Sequence, residues 1–242
     1  MNQAMITIPL KVPCYLLSAG NGYVLIDCGD SSDRQRLDQQ LAQAGVRPGN
    51  LALLLLTHGD FDHSGNAAYL QQKYAAKVAM HKLDEGMVTQ ANMGWNRKAR
   101  PDRVTAFGRV IMLISPLFAG KNPFEKFTPD VFLEDGQDLS AYGLDARVLS
   151  LPGHSKGSIG VLTPGKASSE ATGLTLFCGD LLSNMFGVGL PFMIDDLAAF
   201  SASIEKLRSL PIGMVYPGHG KPFPLERFLD HYRPEDLSLP SN

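Results

Sequence analysis

The chain has 242 residues, 44% of them hydrophobic, which is enough to bury the core of one large α/β domain or of two small ones. With 22 basic and 24 acidic side chains the formal net charge is −2, so the composition excludes a global field that would attract nucleic acid or an anionic membrane. Three cysteines without CxxC spacing argue against a disulfide framework, and no apolar run approaches the roughly 18 residues that span a bilayer. Because residues 1–9 also lack the features of a signal peptide, we expect a cytoplasmic location.

Strands and helices are predicted to alternate along the chain. Apolar runs on either side of the Gly-Asn-Gly sequence at 20–22 predict a β-hairpin. Ser32 and Gln35 have the spacing of a capping box, which predicts a helix that ends before Gly45. The run over 51–56 is apolar on both faces and predicts a buried central strand. Further predicted elements are helices over 66–76 and 197–210 and strands over 77–80, 146–151, 158–162, 174–177 and 214–216.

The segment from Gly94 to Thr128 differs in composition from the rest of the chain. It carries seven Lys and Arg against two Asp and Glu, and an apolar block runs from Phe107 to Phe118. Pro101 is placed to open a helix whose two faces are both apolar, and such a helix needs cover on both sides. We therefore predict an insertion at about 94–128 that forms a lid or a subunit interface.

Four potential metal ligands follow the predicted central strand within six residues. The sequence Thr-His-Gly-Asp-Phe-Asp-His-Ser-Gly-Asn contains His58, Asp60, Asp62 and His63. A strand end fixes the backbone, while the loop after it turns side chains toward an ion. Imidazoles and carboxylates are ligands for Zn, Fe or Mn. No cysteine lies nearby, which argues against a purely structural, Cys-rich zinc site. This pattern predicts a catalytic metal site.

Three further candidate ligands have the same setting. A glycine and a preceding predicted strand accompany each of His154, Asp180 and His219. Glycine permits the tight turn and the close backbone approach of a crowded metal site. Four of the six histidines therefore share one context, which favours a common site.

In this order, the seven residues resemble the metallo-β-lactamase superfamily, and the resemblance extends from about Cys14 to Pro222. The family's His-x-His-x-Asp-His motif, followed by a distant His, an Asp and a final His, maps onto the chain with one departure, Asp60 for the second His. Asp27, in Leu-Ile-Asp-Cys-Gly, matches a family strand and is expected to be an orienting or structural carboxylate. The resemblance implies a four-layer αββα sandwich, with 1–242 as a single domain and the site at one edge.

The resemblance also implies a role for each ligand. A first metal would be held by His58, Asp60 and His154, a second by Asp62, His63 and His219, and Asp180 would bridge them. Asp62 would also steer the attacking water. Asp60 adds negative charge, which suits Fe or Mn better than an all-imidazole site does, or it accepts hydrogen bonds from its own loop without touching metal. We expect two Zn²⁺ ions, with Fe or Mn as the alternative.

The function expected from this site is hydrolysis of a small ester, thioester, lactone or related bond through a metal-bound hydroxide. A glyoxalase-II-like thioesterase is less expected, because the chain after His219 is short for that group's helical substrate domain. Two other functions stay open: a diiron or mononuclear iron redox protein, and a non-catalytic member of the fold that binds metal or ligand. We expect a small-molecule substrate and no nucleic-acid or membrane partner, and a homodimer stays open.

Other polar residues are assigned outside the metal site. His81 and His231 are expected to be structural, Cys178 to be a small buried hydrophobe, and Lys156 to be solvated. The basic residues Arg97, Lys98, Arg100 and Arg103 either rim a pocket for an acidic substrate or lie on an exposed helix or subunit contact.

Overall fold

The computed structural model describes residues 4–20, 22–106, 108–110, 125–165 and 173–232. Its strands are β1 (Met5–Ile8), β2 (Cys14–Ala19), β3 (Gly22–Ile26), β4 (Leu51–Leu55), β5 (Lys77–Met80), β6 (Arg103–Val104), β7 (Val131–Phe132), β8 (Arg147–Ser150), β9 (Ile159–Pro164), β10 (Leu174–Asn184), β11 (Met193–Ile194), β12 (Ile212–Gly220) and β13 (Phe223–Pro224). Its α-helices are α1 (Arg34–Gln43), α2 (Phe61–Ser64), α3 (Ala67–Tyr74), α4 (Glu85–Thr89), α5 (Leu197–Arg208) and α6 (Leu225–Leu229). No helix in these ranges is long and apolar enough to cross a bilayer.

The first sheet has the strand order β1-β2-β3-β4-β5-β7. The predicted hairpin is confirmed as the antiparallel pair β2–β3, and β4 pairs in parallel with both β3 and β5. β4 is the predicted central strand, and Leu53, Leu54 and Leu55 are fully buried because both faces of the sheet are covered. Its carboxyl end delivers residues 57–63 to one edge of the sheet.

The second sheet has the strand order β13-β12-β10-β9-β8. β10 pairs antiparallel with β9 and parallel with β12. The β10–β12 ladder shifts register between Phe177 and Gly179 and again between Gly179 and Ser183. Such irregularities re-aim side chains, and here they fall beside Asp180.

The two sheets pack face to face between outer helices. Leu53 and Leu55 of β4 share one apolar cluster with Val161 and Phe177 of the second sheet. On the outer face of the first sheet, Leu54 and Leu56 pack in a cluster with α1 and α3. α5 and α6 pack on the outer face of the second sheet. These layers confirm the predicted αββα sandwich.

Two local predictions are wrong. Ser32 does not begin a capping box, because its hydroxyl accepts from Lys11 Nζ at 2.6 Å, and Asp30 instead caps a 3-10 turn over Ser31–Asp33. Pro101 does not open a helix over the next residues, because Arg103–Val104 pairs as a strand with Met193–Ile194. Residues 106 and 108–110 are helical, so a helix forms later than predicted, and the predicted positions at 107 and 111–124 lie outside the described residues.

A third prediction, that Asp180 and His219 follow their strands, is also wrong. β10 continues to Asn184 and β12 continues to Gly220, so both residues lie within strands. The parallel pairing of these two strands extends them through glycine-containing sequences that indicate a turn when considered locally.

Candidate metal centre

The loop after β4 and the short helix α2 supply four of the predicted ligands. Ser64 holds the loop in place, because its hydroxyl donates to the carbonyl oxygens of Asp60, at 2.9 Å, and Gly59, at 3.2 Å. His58 and His63 are buried, whereas the Asp62 side chain is 27% exposed. The loop thus directs its ligands toward the second sheet.

The second sheet supplies the other three ligands at the same edge of the sandwich. His154 follows β8, while Asp180 and His219 lie on the adjacent parallel strands β10 and β12. Gly218 is required here, because a Cβ at this position would lie 2.4 Å from Asp180 Oδ1 and 2.5 Å from His63 Cε1. The ligands of the two sheets are therefore packed as closely as the backbone permits.

All seven predicted ligands come together, and six of them form two groups of three. Within each group, the ligand atoms lie within 4.8 Å of one another. The groups are His58, His154 and Asp180, and Asp62, His63 and His219. Asp180 lies between them: its Oδ1 is 3.2 Å from His63 Nε2, and its Oδ2 is 3.3 Å from His219 Nε2 and 3.8 Å from His154 Nε2. This is the placement expected of a bridging carboxylate.

The arrangement fits divalent metal ions. Four buried atoms at this point have no hydrogen-bond partner within the described structure: His58 Nε2, His63 Nε2, His219 Nε2 and Asp180 Oδ1. Leaving such atoms unpaired is costly unless something else satisfies them. Imidazole nitrogens and carboxylate oxygens that converge in this way are the donor set of Zn, Fe and Mn.

Hydrogen bonds on the opposite ring nitrogens orient three of the histidines. His63 Nδ1 lies 2.8 Å from Asp27 Oδ2, His58 Nδ1 lies 3.1 Å from Thr57 Oγ1, and His154 Nδ1 lies 3.0 Å from the Met193 carbonyl oxygen. With the proton on Nδ1, each ring presents the lone pair of Nε2 to the centre. Asp27 and Thr57 thus orient the rings of two predicted ligands.

The charges of the cluster stabilise one another. Burial lowers the pKa of His219, but Asp180 and Asp62 outweigh burial and raise that pKa to about 10. Burial likewise raises the pKa of Asp180, but His219 and His63 hold it well below its usual range. Imidazoles and carboxylates therefore favour each other's charged forms, and a bound divalent cation takes the place of the imidazole protons.

Asp60 differs from the other predicted ligands because a partly buried arginine, Arg97, binds it. Arg97 Nη1 and Nη2 donate to its two carboxylate oxygens, each at 2.8 Å. Burial raises the pKa of Asp60, but the charge of Arg97 and the nearby rings of His154 and His58 hold it well below its usual range. Sequence reasoning did not distinguish Arg97 from its neighbours, although Arg100 and Arg103 are exposed.

A second residue that the sequence did not reveal is Asp84, whose side chain joins the two ligand loops. Its carboxylate accepts from Gly59 N at 3.3 Å, and from Ser155 Oγ and Gly157 N at 2.6 and 2.8 Å. Gly59 lies next to His58, and Ser155 lies next to His154. The buried Asp84 therefore fixes the spacing of these ligands across the two sheets.

A cavity of about 190 Å³ opens beside the ligands. Its floor is formed by Asp180 and His219, and its walls include Met185, Phe186, Leu190, Pro191 and Phe192. Of the predicted insertion, Thr105 lines the cavity and Arg97 reaches the ligands. The four apolar residues expected to line such a pocket, Phe107, Ile111, Phe118 and Phe124, lie outside the described residues.

The remaining predicted residues lie away from the ligands. His81 caps a 3-10 turn and accepts from Leu83 N, and His231 is exposed beside the Arg227 carbonyl oxygen. Cys178 is buried in the apolar cluster beneath α5, as expected for a small hydrophobe. Lys156 is exposed and donates to Asn96.

The sequence model of the metallo-beta-lactamase superfamily matches residues 7–219. The chain therefore belongs to this superfamily, whose members are mostly metal-dependent hydrolases. The match contains all seven predicted ligands and ends at the last of them, His219. Fold, ligand order and sequence thus agree on the family.

Three similar proteins illustrate the range of the family. The chain is 26% identical to the atrochrysone carboxyl ACP thioesterase of Aspergillus fumigatus, over 85% of this chain but only 50% of that protein. It is 27% identical to hydroxyacylglutathione hydrolase GloC of Haemophilus influenzae, over 81% of this chain and 79% of that protein. Among solved structures, TTHA1623 in a di-iron-bound form is similar with a TM-score of 0.62 and 28% identity, over 92% of this chain and 95% of that one.

Proposed function

We propose that this protein hydrolyses a small ester, thioester, lactone or related bond, with thioesters as the first choice. The observation that carries the proposal is the convergence of unpaired ligand atoms from both sheets at the floor of a largely apolar cavity. The two similar curated proteins named above are a thioesterase and a hydroxyacylglutathione hydrolase, which favours thioesters. The cavity walls suit the apolar part of an acyl group.

Metal ions bound by the two ligand groups supply a Lewis acid and a nucleophilic water at neutral pH. Among the carboxylates of the cluster, the side chain of Asp62 is 27% exposed, whereas those of Asp60 and Asp180 are 12% and 3% exposed. Asp62 is therefore the carboxylate that water and substrate reach most easily. We assign it the predicted catalytic role of orienting the attacking water, and we propose in addition that it accepts a proton from that water.

We further propose two Zn²⁺ ions as the cofactor, with Fe or Mn as the alternative, and a small-molecule substrate as the only partner apart from a possible second copy of the chain. The di-iron-bound form of TTHA1623 favours iron as the alternative metal, and a redox iron centre is the second candidate function. Metal analysis of protein from iron-replete and zinc-replete cultures tests the choice. We retain the cytoplasm as the proposed location, since three buried, unpaired cysteines suit a reducing compartment.

Activity against matched thioesters, esters, lactones and phosphodiesters tests the hydrolytic function, with wild type compared to His63→Ala and Asp62→Ala. Removing a ligand should lower kcat/KM by more than about 100-fold, beyond the range of residues that act through a ligand. Circular dichroism is expected to show the fold intact. Full activity in both variants, or no activity toward any bond class in the metal-loaded wild type, contradicts the proposal.

A further inference from the structure

Arg97 and Asp60 form a bidentate ion pair at the edge of the first ligand group. The two guanidinium nitrogens reach the two carboxylate oxygens at 2.8 Å each, and the side chains are only 10% and 12% exposed. A planar guanidinium matches a carboxylate in this way more closely than any other cation does. Both Asp60 oxygens are thus engaged within the protein.

This pairing separates Asp60 from the ligand atoms that surround it. His58, His154 and Asp180 form the first ligand group, and Asp60 is not among them. Its Oδ2 nevertheless lies 2.9 Å from His154 Nε2 and 3.4 Å from His58 Nε2, so it is close enough to join. To bind an ion there, Asp60 must leave the guanidinium or share an oxygen with it.

Arg97 also places a positive charge beside the first metal position, which is the one that the first ligand group would form. Its Nη2 lies 3.4 Å from His154 Nε2, an atom that the first ion would need. A metal ion bound to this atom would lie close to the guanidinium. Two positive charges so close together repel strongly where water is largely excluded. In the described ranges, the ion pairs of Asp62, His63 and His219 involve only histidines and carboxylates, so the second position has no such neighbour.

The position of Arg97 is fixed by the fold. Its Nη1 also donates to the Met93 carbonyl oxygen at 3.1 Å, and its backbone N–H donates to the Gly94 carbonyl oxygen at 3.2 Å. The next residue, Lys98, donates its backbone N–H to the buried Asp195 at 2.9 Å. These bonds hold the guanidinium against Asp60.

We propose that Arg97 withholds Asp60 from the first metal, so that the two positions differ in affinity and the one formed by Asp62, His63 and His219 fills first. This inference rests on the proposed metal-dependent function and specifies how the site is loaded. Arg97 is a positioning residue, because it acts through Asp60 and the local charge. The first position fills only at the higher metal concentration.

Zn²⁺ titration of the metal-free full chain against a chromogenic chelator tests the proposal. Wild type should bind one Zn²⁺ at least about tenfold more tightly than the other, in line with the 10- to 100-fold effects of residues that act through ligands. Arg97→Met should raise the weaker affinity about tenfold or more and leave the tighter one unchanged. Arg97→Lys keeps the charge without the planar fork and should give a smaller gain.

Asp60→Asn serves as the second half of a double-mutant cycle. If Arg97 acts through Asp60, most of the gain from Arg97→Met disappears in the Arg97→Met, Asp60→Asn double variant. Thermal unfolding of the metal-free proteins identifies any variant that is not folded, and Arg97→Lys replaces Arg97→Met in the cycle if the latter fails. Occupancy of the metal-loaded forms is confirmed by elemental analysis.

Equal affinities at the two positions of the wild type overturn the proposal. So does a folded Arg97 variant whose weaker affinity is unchanged or reduced, which would make the ion pair purely structural. Because the readout is bound Zn²⁺, a chain that binds the ions as described but hydrolyses no substrate contradicts the proposed function alone.

Discussion

The Nδ1 atom of His63 lies 2.8 Å from Oδ2 of Asp27, a residue with φ of 56° whose other oxygen accepts from Thr57 N at 2.8 Å. Both oxygens of the Asp27 carboxylate are acceptors. The Nδ1 atom of His63 must therefore carry the proton of the ring. The left-handed backbone is tolerated by Asp and Asn better than by most other residues. Asp27 thus combines an unusual backbone with a role in presenting a ligand.

Asp27→Asn should lower metal affinity by about 10- to 100-fold with little change in the backbone. Asn keeps the left-handed conformation and can still accept from Thr57 N, but its amide NH₂ then faces His63 Nδ1 and favours the wrong tautomer. Zn²⁺ affinity from chelator competition is the measurement. Asp33→Asn, an acidic residue in the turn before α1, is the control, and equal affinity in Asp27→Asn and wild type would exclude this role.

Asp84→Asn should lower both stability and metal affinity. All three groups around the carboxylate are donors, so an amide NH₂ in the same place leaves one of them without a buried acceptor. We expect a loss of about 1–3 kcal/mol in the free energy of unfolding and a decrease in Zn²⁺ affinity of about tenfold.

Asp130→Ala provides the control for Asp84→Asn, because it removes the acceptor of two hydrogen bonds. Asp130 Oδ2 accepts from Val78 N and Gln71 Nε2, both at 2.8 Å, on the first sheet away from the ligands. Chemical denaturation should show destabilisation in both variants, whereas only Asp84→Asn should weaken Zn²⁺ binding. An Asp84 variant that loses stability but keeps wild-type Zn²⁺ affinity would limit its role to folding.

If the proposed hydrolysis is correct, Leu190→Ala should broaden the preference for acyl groups without changing the amount of metal bound. Leu190 lines the cavity above Asp180 and His219, so shortening it enlarges the space available to an acyl chain. A difference of one methylene in an apolar pocket changes specificity by about 10-fold or more. The measurement is kcat/KM across a thioester series of increasing chain length, with the exposed Ile6→Ala on β1 as the control. An unchanged profile would place the acyl group elsewhere.

Asp38→Asn should destabilise the protein only above acidic pH. Burial raises the pKa of Asp38, but hydrogen bonds from Lys73, Tyr74 and Tyr69 outweigh it and lower the pKa. A carboxyl with a lowered folded pKa contributes stability above its unfolded value of about 3.9, and this is lost as pH falls through the lowered value. The expected loss is about 1 kcal/mol at pH 7, discounted for partial exposure, and it decreases as the pH falls below about 3.9.

Urea unfolding of wild type and Asp38→Asn between pH 2 and 7 measures this difference, and Zn²⁺ affinity should be the same in both. A constant difference across the whole range would contradict the assignment to Asp38 ionisation. Since Asp38 joins α1 to α3, far from the ligands, the variant also separates loss of stability from loss of the metal site.

The local sequence was sufficient to predict the place of a residue when that place depends only on the residue's own strand. The uninterrupted apolar run before Thr57 predicted β4, and its end placed His58 and His63 at the sheet edge. The order of His154, Asp180 and His219 resembles that of the metallo-β-lactamase superfamily, and this resemblance predicted that they would meet these residues. Periodicity is a local property, so the strands and layers were predictable from the sequence itself, whereas the full ligand set was predicted through the resemblance.

The parts that were missed depend on contacts between distant residues. Arg97 lies in a basic stretch with Arg100 and Arg103, and only the fold reveals that Arg97 alone among these three binds Asp60. Asp84 is likewise an ordinary acidic residue until the Gly59 and Ser155 loops close around it. Strand β10 continues past Phe177 because β12 pairs with it, which no pattern within β10 indicates.

The second ligand group joins Asp62 and His63 of the first sheet to His219 of the second, with more than half of the chain between them. An ion held by these three residues therefore closes a very long loop, and in this respect it resembles a reversible cross-link between the amino- and carboxyl-terminal halves. In the unfolded chain, bringing the ends of so long a loop together would cost conformational entropy that the folded protein has already lost. Release of the ion and separation of the two halves are thereby coupled, so metal depletion should loosen the sheet interface before it affects either sheet alone.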